Sequence, residues 1–290
     1  MILKNKLILG TAQFTGNYGY EIKDKNKIDV KKILSCYKKK NFKYLDTSIN
    51  YQKVDKKIGL VPNNWKIITK INFSDNEIEN NNENKLFDSI CKSLVNSRKN
   101  IGIEKFDSLL IQNFDNLKMR NKRKLFKILT RIKKKNFFNK IGVSIYNFYK
   151  LRENIEKFNL NIIQCPYNIL ERRIENKFLL KIIKKKKIEI HVRSIFLQGI
   201  LLNNPSNLPK KFHKYEKILV KFHQWATVRN FNKIDLLISF ILNNKNINKI
   251  IFGIQNLKQL NQIMNHKFVK VKIPNNLQTR NLKLIDPTKW

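Results

Sequence analysis

Residues 43–59 read K-Y-L-D-T-S-I-N-Y-Q-K-V-D-K-K-I-G. Tyr44 and Leu45 close a short apolar run, and Asp46 stands where a strand would stop. Tyr51 follows a polar turn, and a short helical stretch begins at Val54. An acid at the C-terminal end of a strand, with a phenol on the next loop, is how parallel barrels build a reactive mouth. A helix-capping aspartate beside a surface tyrosine would read the same way, so the surrounding chain has to decide.

Outward from this stretch, short apolar runs alternate with longer amphipathic ones. Strands are expected at 7–9, 42–45, 65–69, 108–111, 140–143, 161–163, 188–192 and 249–252. Helices are expected at 30–40, 86–94, 122–135, 148–158, 175–186, 214–229, 234–242 and 257–264. In the first of these, Val30, Ile33, Leu34 and Tyr37 recur at helical spacing. Residues 74–83 are almost wholly Asn, Asp and Glu and read as a polar loop. Alternation without a break in composition predicts one α/β domain over residues 1–290, a (β/α)8 TIM barrel. The rival, a doubly wound open sheet, lacks a G-x-G-x-x-G after the first strand. The final segment, to Trp290, is expected to pack on the barrel exterior.

Lysine and arginine total 60 against 21 acids, a formal charge of +39. Such an excess ordinarily points to a polyanionic partner. Here the lysines are scattered, with short runs at 38–40, 133–135 and 184–187 near the ends of expected helices, where cations complement the helix dipole. Asparagine and isoleucine are abundant while glycine and proline are scarce, a joint bias typical of AT-rich coding. No specific nucleic acid is therefore expected as a partner, only salt-sensitive sticking to RNA. Cys36, Cys91 and Cys165 form no C-x-x-C pair, which argues for a reducing compartment and against a zinc or disulfide framework. His191, His213, His223 and His266 show no ligand spacing, so no metal is expected. No apolar run is long enough for a membrane span or a signal peptide. A cytoplasmic protein without a membrane partner is expected, its oligomeric state left open.

Polar residues recur at corresponding places around successive strand ends: Asp46, Lys70, Gln112, Ser144, Gln164 and Arg193. Helix caps would explain Ser or Asp there, but Lys70, Gln164 and Arg193 are poor caps. A tyrosine, a lysine and an aspartate in one mouth form a proton-transfer device. A free phenol, with a pKa of about 10, is a poor acid at neutral pH. A neighbouring ammonium favours the phenolate and lowers that pKa, and a carboxylate holds the ammonium in place.

The ordered segments G-T-A-Q-F (10–14), Y-L-D-T-S-I-N-Y (44–51), I-I-T-K (67–70), S-L-L-I-Q-N (108–113), I-G-V-S (141–144), Q-C-P-Y-N (164–168) and I-F-G-I-Q-N-L-K-Q-L (251–260) resemble the aldo-keto reductase superfamily over nearly the whole chain. P-Y-N-I-L-E-R-R (166–173), H-V-R-S-I-F-L-Q-G-I-L-L (191–202) and I-D-P-T-K-W (285–290) are similar to a bacterial branch associated with surface-polysaccharide and sugar modification.

The resemblance implies an NAD(P)H-dependent oxidoreductase that reduces an aldehyde or ketone of a sugar-like molecule, in carbohydrate metabolism. NADP(H) is implied over NAD(H), although the residues themselves do not display that preference. Tyr51 is then the general acid, Lys70 its pKa-lowering neighbour and Asp46 the partner of that lysine. Ser144 and Gln164 match the residues that bind the nicotinamide carboxamide. Gly10 and Thr11 match the first cofactor-contacting loop, with Asp46 beside it. Ser194, Phe196, Leu197 and Gly199 match the loop past the diphosphate, and Gly253, Gln255 and Gln259 the cradle of the adenosine phosphate.

Some positions depart from the pattern. Gln112 stands where the family's histidine is usual; it can donate a hydrogen bond but cannot titrate. Ile145 replaces a frequent asparagine, and Arg193 a frequent aromatic, whose place its planar guanidinium could take. Gln259, beside Lys258, stands where a phosphate-binding arginine is common. Two alternatives stay open on these grounds. One is a weakened or inactive cofactor-binding barrel serving as a sensor or partner protein. The other is a charge-driven nucleic-acid binder.

Overall fold

The chain lays down eight short strands: β1 (Leu7–Gly10), β2 (Tyr44–Asp46), β3 (Lys66–Ile71), β4 (Phe106–Ile111), β5 (Phe138–Ser144), β6 (Ile162–Pro166), β7 (Glu189–Arg193) and β8 (Lys249–Phe252). Each pairs in parallel with the next, and β8 returns to β1, closing the sheet. The computed structural model describes residues 2–16, 28–51, 53–270 and 273–290. The expected (β/α)8 barrel is the observed architecture.

Side chains on a strand alternate between faces, and that period sets the layers of the barrel. One face of the strands gives Leu7, Leu9, Leu45, Ile67, Leu109, Ile111, Val143, Ile163 and Val192 to the large core cluster shared with the helices. Ile8, Ile68, Leu110, Ile162 and Ile251 form a separate cluster, flanked by Tyr44, which fills the barrel interior. Burying one such aliphatic side chain is worth about 1.5–3 kcal/mol. Two residues further along each strand the same inward face is polar: Asp46 follows Tyr44, Lys70 follows Ile68, Gln112 follows Leu110 and Gln164 follows Ile162. The apolar plug is thus the floor on which the polar layer stands.

Amphipathic helices wrap this sheet where the apolar spacing placed them. In the Val30–Lys39 helix, Val30, Ile33, Leu34 and Tyr37 are buried, and Asp29 caps the start by accepting from the Lys32 amide. The Tyr37 hydroxyl lies 3.2 Å from the carbonyl oxygens of both Leu7 and Tyr44, tying this helix to β1 and β2. The lysine runs fall in the last turns of Val30–Lys39, Met119–Lys134 and Lys177–Lys185.

Two expectations are corrected. The polar stretch 74–83 is not all loop, because Ser74 and Glu77 form a reciprocal capping box that starts a short helix, Asp75–Glu79. Asp75 then accepts from the Asn121 side chain at 2.5 Å and the Lys118 amide at 3.1 Å, docking that helix on Met119–Lys134. The C-terminal segment does not lie on the outer wall. The Thr279 amide donates to the Leu170 carbonyl at 3.0 Å, and Trp290 stands edge-on to Phe212 at 5.0 Å. Both partners belong to loops at the C-terminal rim of the barrel, so the tail packs beside the mouth. Among the described residues, no helix is long and apolar enough to cross a membrane.

Candidate active site

The mouth holds a cavity of about 560 Å³, lined at its inner end by Asp46, Tyr51, Lys70, Gln112, Ser144, Gln164 and Arg193. Such a volume lies within the range of small-molecule and cofactor sites. Lys70 Nζ lies 2.5 Å from Asp46 Oδ1 and 2.9 Å from the Thr47 carbonyl oxygen. Only 5% of the lysine side chain and 9% of the aspartate side chain are exposed. Burial pushes the Lys70 ammonium below the usual lysine range. Asp46 opposes that shift, and Arg193 adds to it. Lys70 and Gln164 sit inside β3 and β6 rather than just beyond them, because the ladder continues through Lys70↔Leu110 and Gln164↔His191.

The loop after β2 brings Tyr51 to this pair. The Thr47 amide donates to the Ile68 carbonyl, the Ile49 amide to the Lys70 carbonyl and the Tyr51 amide to the Ser48 carbonyl. The Ser48 hydroxyl adds a bond to the Lys70 carbonyl at 3.3 Å. The loop is therefore stitched to β3 beside the lysine, and half-buried Tyr51 is held in the cavity wall.

Across the barrel, Gln164 is fully buried. Its amide donates to Asp46 Oδ2 at 2.7 Å, and its carbonyl oxygen accepts from the Ser144 hydroxyl at 3.4 Å. Ser144, Gln164, Asp46 and Lys70 thus form one chain of contacts. Arg193 donates to the Ile145 carbonyl at 2.9 Å, and its guanidinium lies 3.8 Å from the Tyr146 ring centroid.

The outer end of the cavity runs past Gly10, Ser194, Phe196, Gly199, Gly253, Gln255 and Gln259. The loop after β7 is strained: Ser194, Leu197, Gln198 and Gly199 have φ of 56°, 47°, 53° and 100°. Non-glycine residues in that left-handed region cost about 1–3 kcal/mol each and persist where the surroundings fix them. Here Asn168 supplies an anchor, its side-chain amide donating to the Ser194 carbonyl at 3.0 Å. Gly253 admits the Gln13 side chain, since a Cβ at this position would lie only 2.1 Å from Gln13 Nε2. The Gln259 side chain accepts from the Gln255 amide at 2.7 Å, and Asn256 caps the helix Leu257–Met264. Thr11 and Leu197 are fully buried and do not line the cavity. Thr11 instead donates twice to the Asp46 carbonyl, from its amide at 2.9 Å and its hydroxyl at 3.1 Å.

The family model for the aldo/keto reductase family matches residues 6–273. The chain belongs to the aldo/keto reductase family. It is an oxidoreductase of a family that acts on small carbonyl compounds through nicotinamide cofactors. Solved structures with the same fold include the glycerol dehydrogenase of Gluconobacter oxydans, at TM-score 0.67 and 18% identity, over 92% of this chain and 87% of that one. Another is a thermostable aldo-keto reductase in complex with the inhibitor epalrestat, at TM-score 0.66 and 18% identity, over 97% and 93%. No curated protein matches the chain.

This aldo/keto reductase brings all the expected inner residues to one cavity, along with several that sequence reasoning had not singled out. Gln13, Asn113, Tyr146, Gln198 and Thr288 also line it. Gln13 lies within a quoted segment, and Tyr146 stands two residues after Ser144, so both carried a positional signal. Asn168 carried one as well, within Q-C-P-Y-N. Thr288 carried none, because its place depends on where the tail docks. Among the described residues, no group of three or more His, Cys, Asp or Glu could hold a metal ion.

At the opposite end of the barrel, Glu189 accepts from Lys140 Nζ at 2.6 Å and faces His191 Nε2 at 3.0 Å. The bond to His191 leads in holding the Glu189 carboxyl down at about 2, with Lys140 helping. Burial pushes the His191 imidazole below its usual value, so this ring is neutral in the folded protein.

Proposed function

We propose that this aldo/keto reductase is an NAD(P)H-dependent carbonyl reductase acting on an aldehyde or ketone of a sugar-like molecule. The observation that carries the reading is the buried Lys70–Asp46 pair in the wall of a cavity that Tyr51 also lines. A bound dihydronicotinamide supplies the hydride. Tyr51 gives its proton to the carbonyl oxygen, Lys70 stabilises the phenolate left behind, and Asp46 keeps Lys70 charged and in place. Gln112 donates an amide hydrogen to the same oxygen, orienting the carbonyl without titrating.

The residues present fit such a cofactor. A carboxamide needs both a donor and an acceptor, and Ser144 and Gln164 offer both side by side. The strained turn at 194–199 and the close approach at Gly253 leave backbone along the outer cavity, where a long ligand needs it. NADP(H) is favoured over NAD(H) by analogy with the family, with exposed Lys258 at the start of Leu257–Met264 as the nearby cation. The inner and middle lining supplies the amides of Gln112, Asn113, Gln198 and Asn203, which can donate to and accept from hydroxyl groups. That favours a polyhydroxylated substrate and the sugar-modifying branch.

Gln112 favours a second reading, a barrel that binds its cofactor but turns over slowly or not at all. Titration with NADPH and NADH, followed by tryptophan quenching, and then an aldehyde and sugar panel test both. Micromolar binding with turnover is expected. Binding without turnover would select the second reading, and no binding would sink both.

A further inference from the structure

The cavity wall of this aldo/keto reductase carries three charged side chains, Asp46, Lys70 and Arg193. Asp46 is committed to Lys70 at 2.5 Å, so the wall carries two positive charges and one negative. Arg193 is the cation not engaged by Asp46, and its place is well determined. Its guanidinium lies 3.8 Å from the Tyr146 ring centroid and donates to the carbonyl of Ile145, the residue after Ser144. Tyr146 is itself pinned at both backbone atoms: its amide donates to Asp115 at 3.0 Å, and its carbonyl accepts from Arg173 at 3.2 Å. Arg173 is fixed in turn by the fully buried Glu171 carboxylate, which takes its Nε and Nη2. Arg193 therefore lies on a braced aromatic platform beside Ser144, not on a side chain that can swing into solvent.

We infer that Arg193, held flat on Tyr146, makes this site discriminate between the oxidation states of its cofactor, binding the neutral reduced nicotinamide more tightly than the cationic oxidised one. The inference rests on the proposed placement of the nicotinamide at Ser144 and Gln164. Two physical effects act in the same direction. A positive charge close to the ring repels the positive charge that exists only in the oxidised form, and the repulsion is strong in a half-buried site. A guanidinium is also attracted to an electron-rich ring more than to an electron-poor one. An aromatic side chain at position 193 would supply neither bias. The consequence is an enzyme that selects reduced cofactor from a mixed pool and releases the oxidised form readily, at the cost of a bound cofactor less willing to give up its hydride.

The test compares the dissociation constants of NADPH and NADP+, and of NADH and NAD+, for the full chain by calorimetry and tryptophan quenching. The wild type is expected to bind the oxidised form roughly tenfold or more weakly than the reduced form. Arg193→Gln removes the charge and should bring the ratio close to one, whereas Arg193→Lys keeps the charge and should preserve most of it. Melting curves establish that each variant is folded; should Arg193→Gln fail, Arg193→Phe makes the same comparison. A wild-type ratio near one, or a ratio unchanged when the charge is removed, overturns the inference while leaving the reductase reading intact. Failure of the wild type to bind either form overturns both.

Discussion

Gln164 on β6 reaches across the barrel to Asp46 on β2, its amide donating to Oδ2 at 2.7 Å while Oδ1 holds Lys70. Both oxygens of a nearly buried carboxylate are thus engaged from opposite walls. Removing one donor from such a group leaves it with an unmet hydrogen-bonding need, at a cost of about 1–3 kcal/mol. Gln164→Leu should destabilise the protein by about that amount in urea unfolding. Gln164→Glu should be worse at neutral pH, because it sets two carboxylates face to face, and its deficit should shrink as acid neutralises one of them. Equal stability of all three proteins across pH would show that the contact carries nothing.

The Asp46–Lys70 pair separates folding from chemistry. Lys70→Met leaves the Asp46 carboxylate buried beside a thioether, and breaking a buried pair in this way costs about 3–5 kcal/mol. Asp46→Asn combined with Lys70→Met removes both charges and should recover much of that loss. Reductase activity should stay low in both, since neither has an ammonium to stabilise the phenolate. Full activity in the recovered double variant would show that the pair is structural only.

The far end of the barrel sets the response to acid. Glu189, held at about 2 by His191 and Lys140, has a folded pKa below its unfolded value. Its stabilisation is therefore present above about pH 4.5 and is lost as pH falls towards 2. His191 is held neutral by burial, with Lys249 also disfavouring its charge. It too is protonated more readily in the unfolded chain, so stability begins to decline as pH drops below about 6.5. Melting temperatures of the wild type should fall across both windows, while Glu189→Gln should start lower at pH 7 and lose its dependence on the more acidic one. A flat profile between pH 7 and 4 would contradict this account.

The barrel was legible because its strands are short apolar runs whose inward face turns polar at a fixed place. Asp46, Lys70 and Gln164 could be placed in one mouth from that alternation alone. The ends of the strands were harder to read: a lysine and a glutamine look like strand breakers, yet Lys70 and Gln164 are paired on both sides within the sheet. The helix at Asp75–Glu79 was missed because asparagine-rich composition outweighed a local signal, the S-x-x-E of Ser74 and Glu77. Contacts between loops left no local trace at all. That Arg193 lies on Tyr146, that Asn168 holds Ser194, and that Thr288 reaches the mouth all depend on how separate loops meet at the rim.

Tyr51 decides between an enzyme and a binding protein. Its loop is stitched to β3 beside Lys70, so its hydroxyl belongs to the wall where a carbonyl would meet the ammonium. Tyr51→Phe removes the proton and keeps the ring, so packing should survive and cofactor affinity should change little. The rate of carbonyl reduction should fall by about 10²–10⁴, the usual worth of a positioned general acid. Gln112→His is the complementary change. If Gln112 only orients the carbonyl, an imidazole at the same place should hold or raise activity, and it should add a pH dependence near the titration range of histidine. Single-turnover rates across pH for the wild type and both variants read these effects together. Undiminished reduction by Tyr51→Phe would remove the phenol from the mechanism. An inactive wild type that becomes active with histidine at position 112 would mark glutamine there as the change that silenced a competent site.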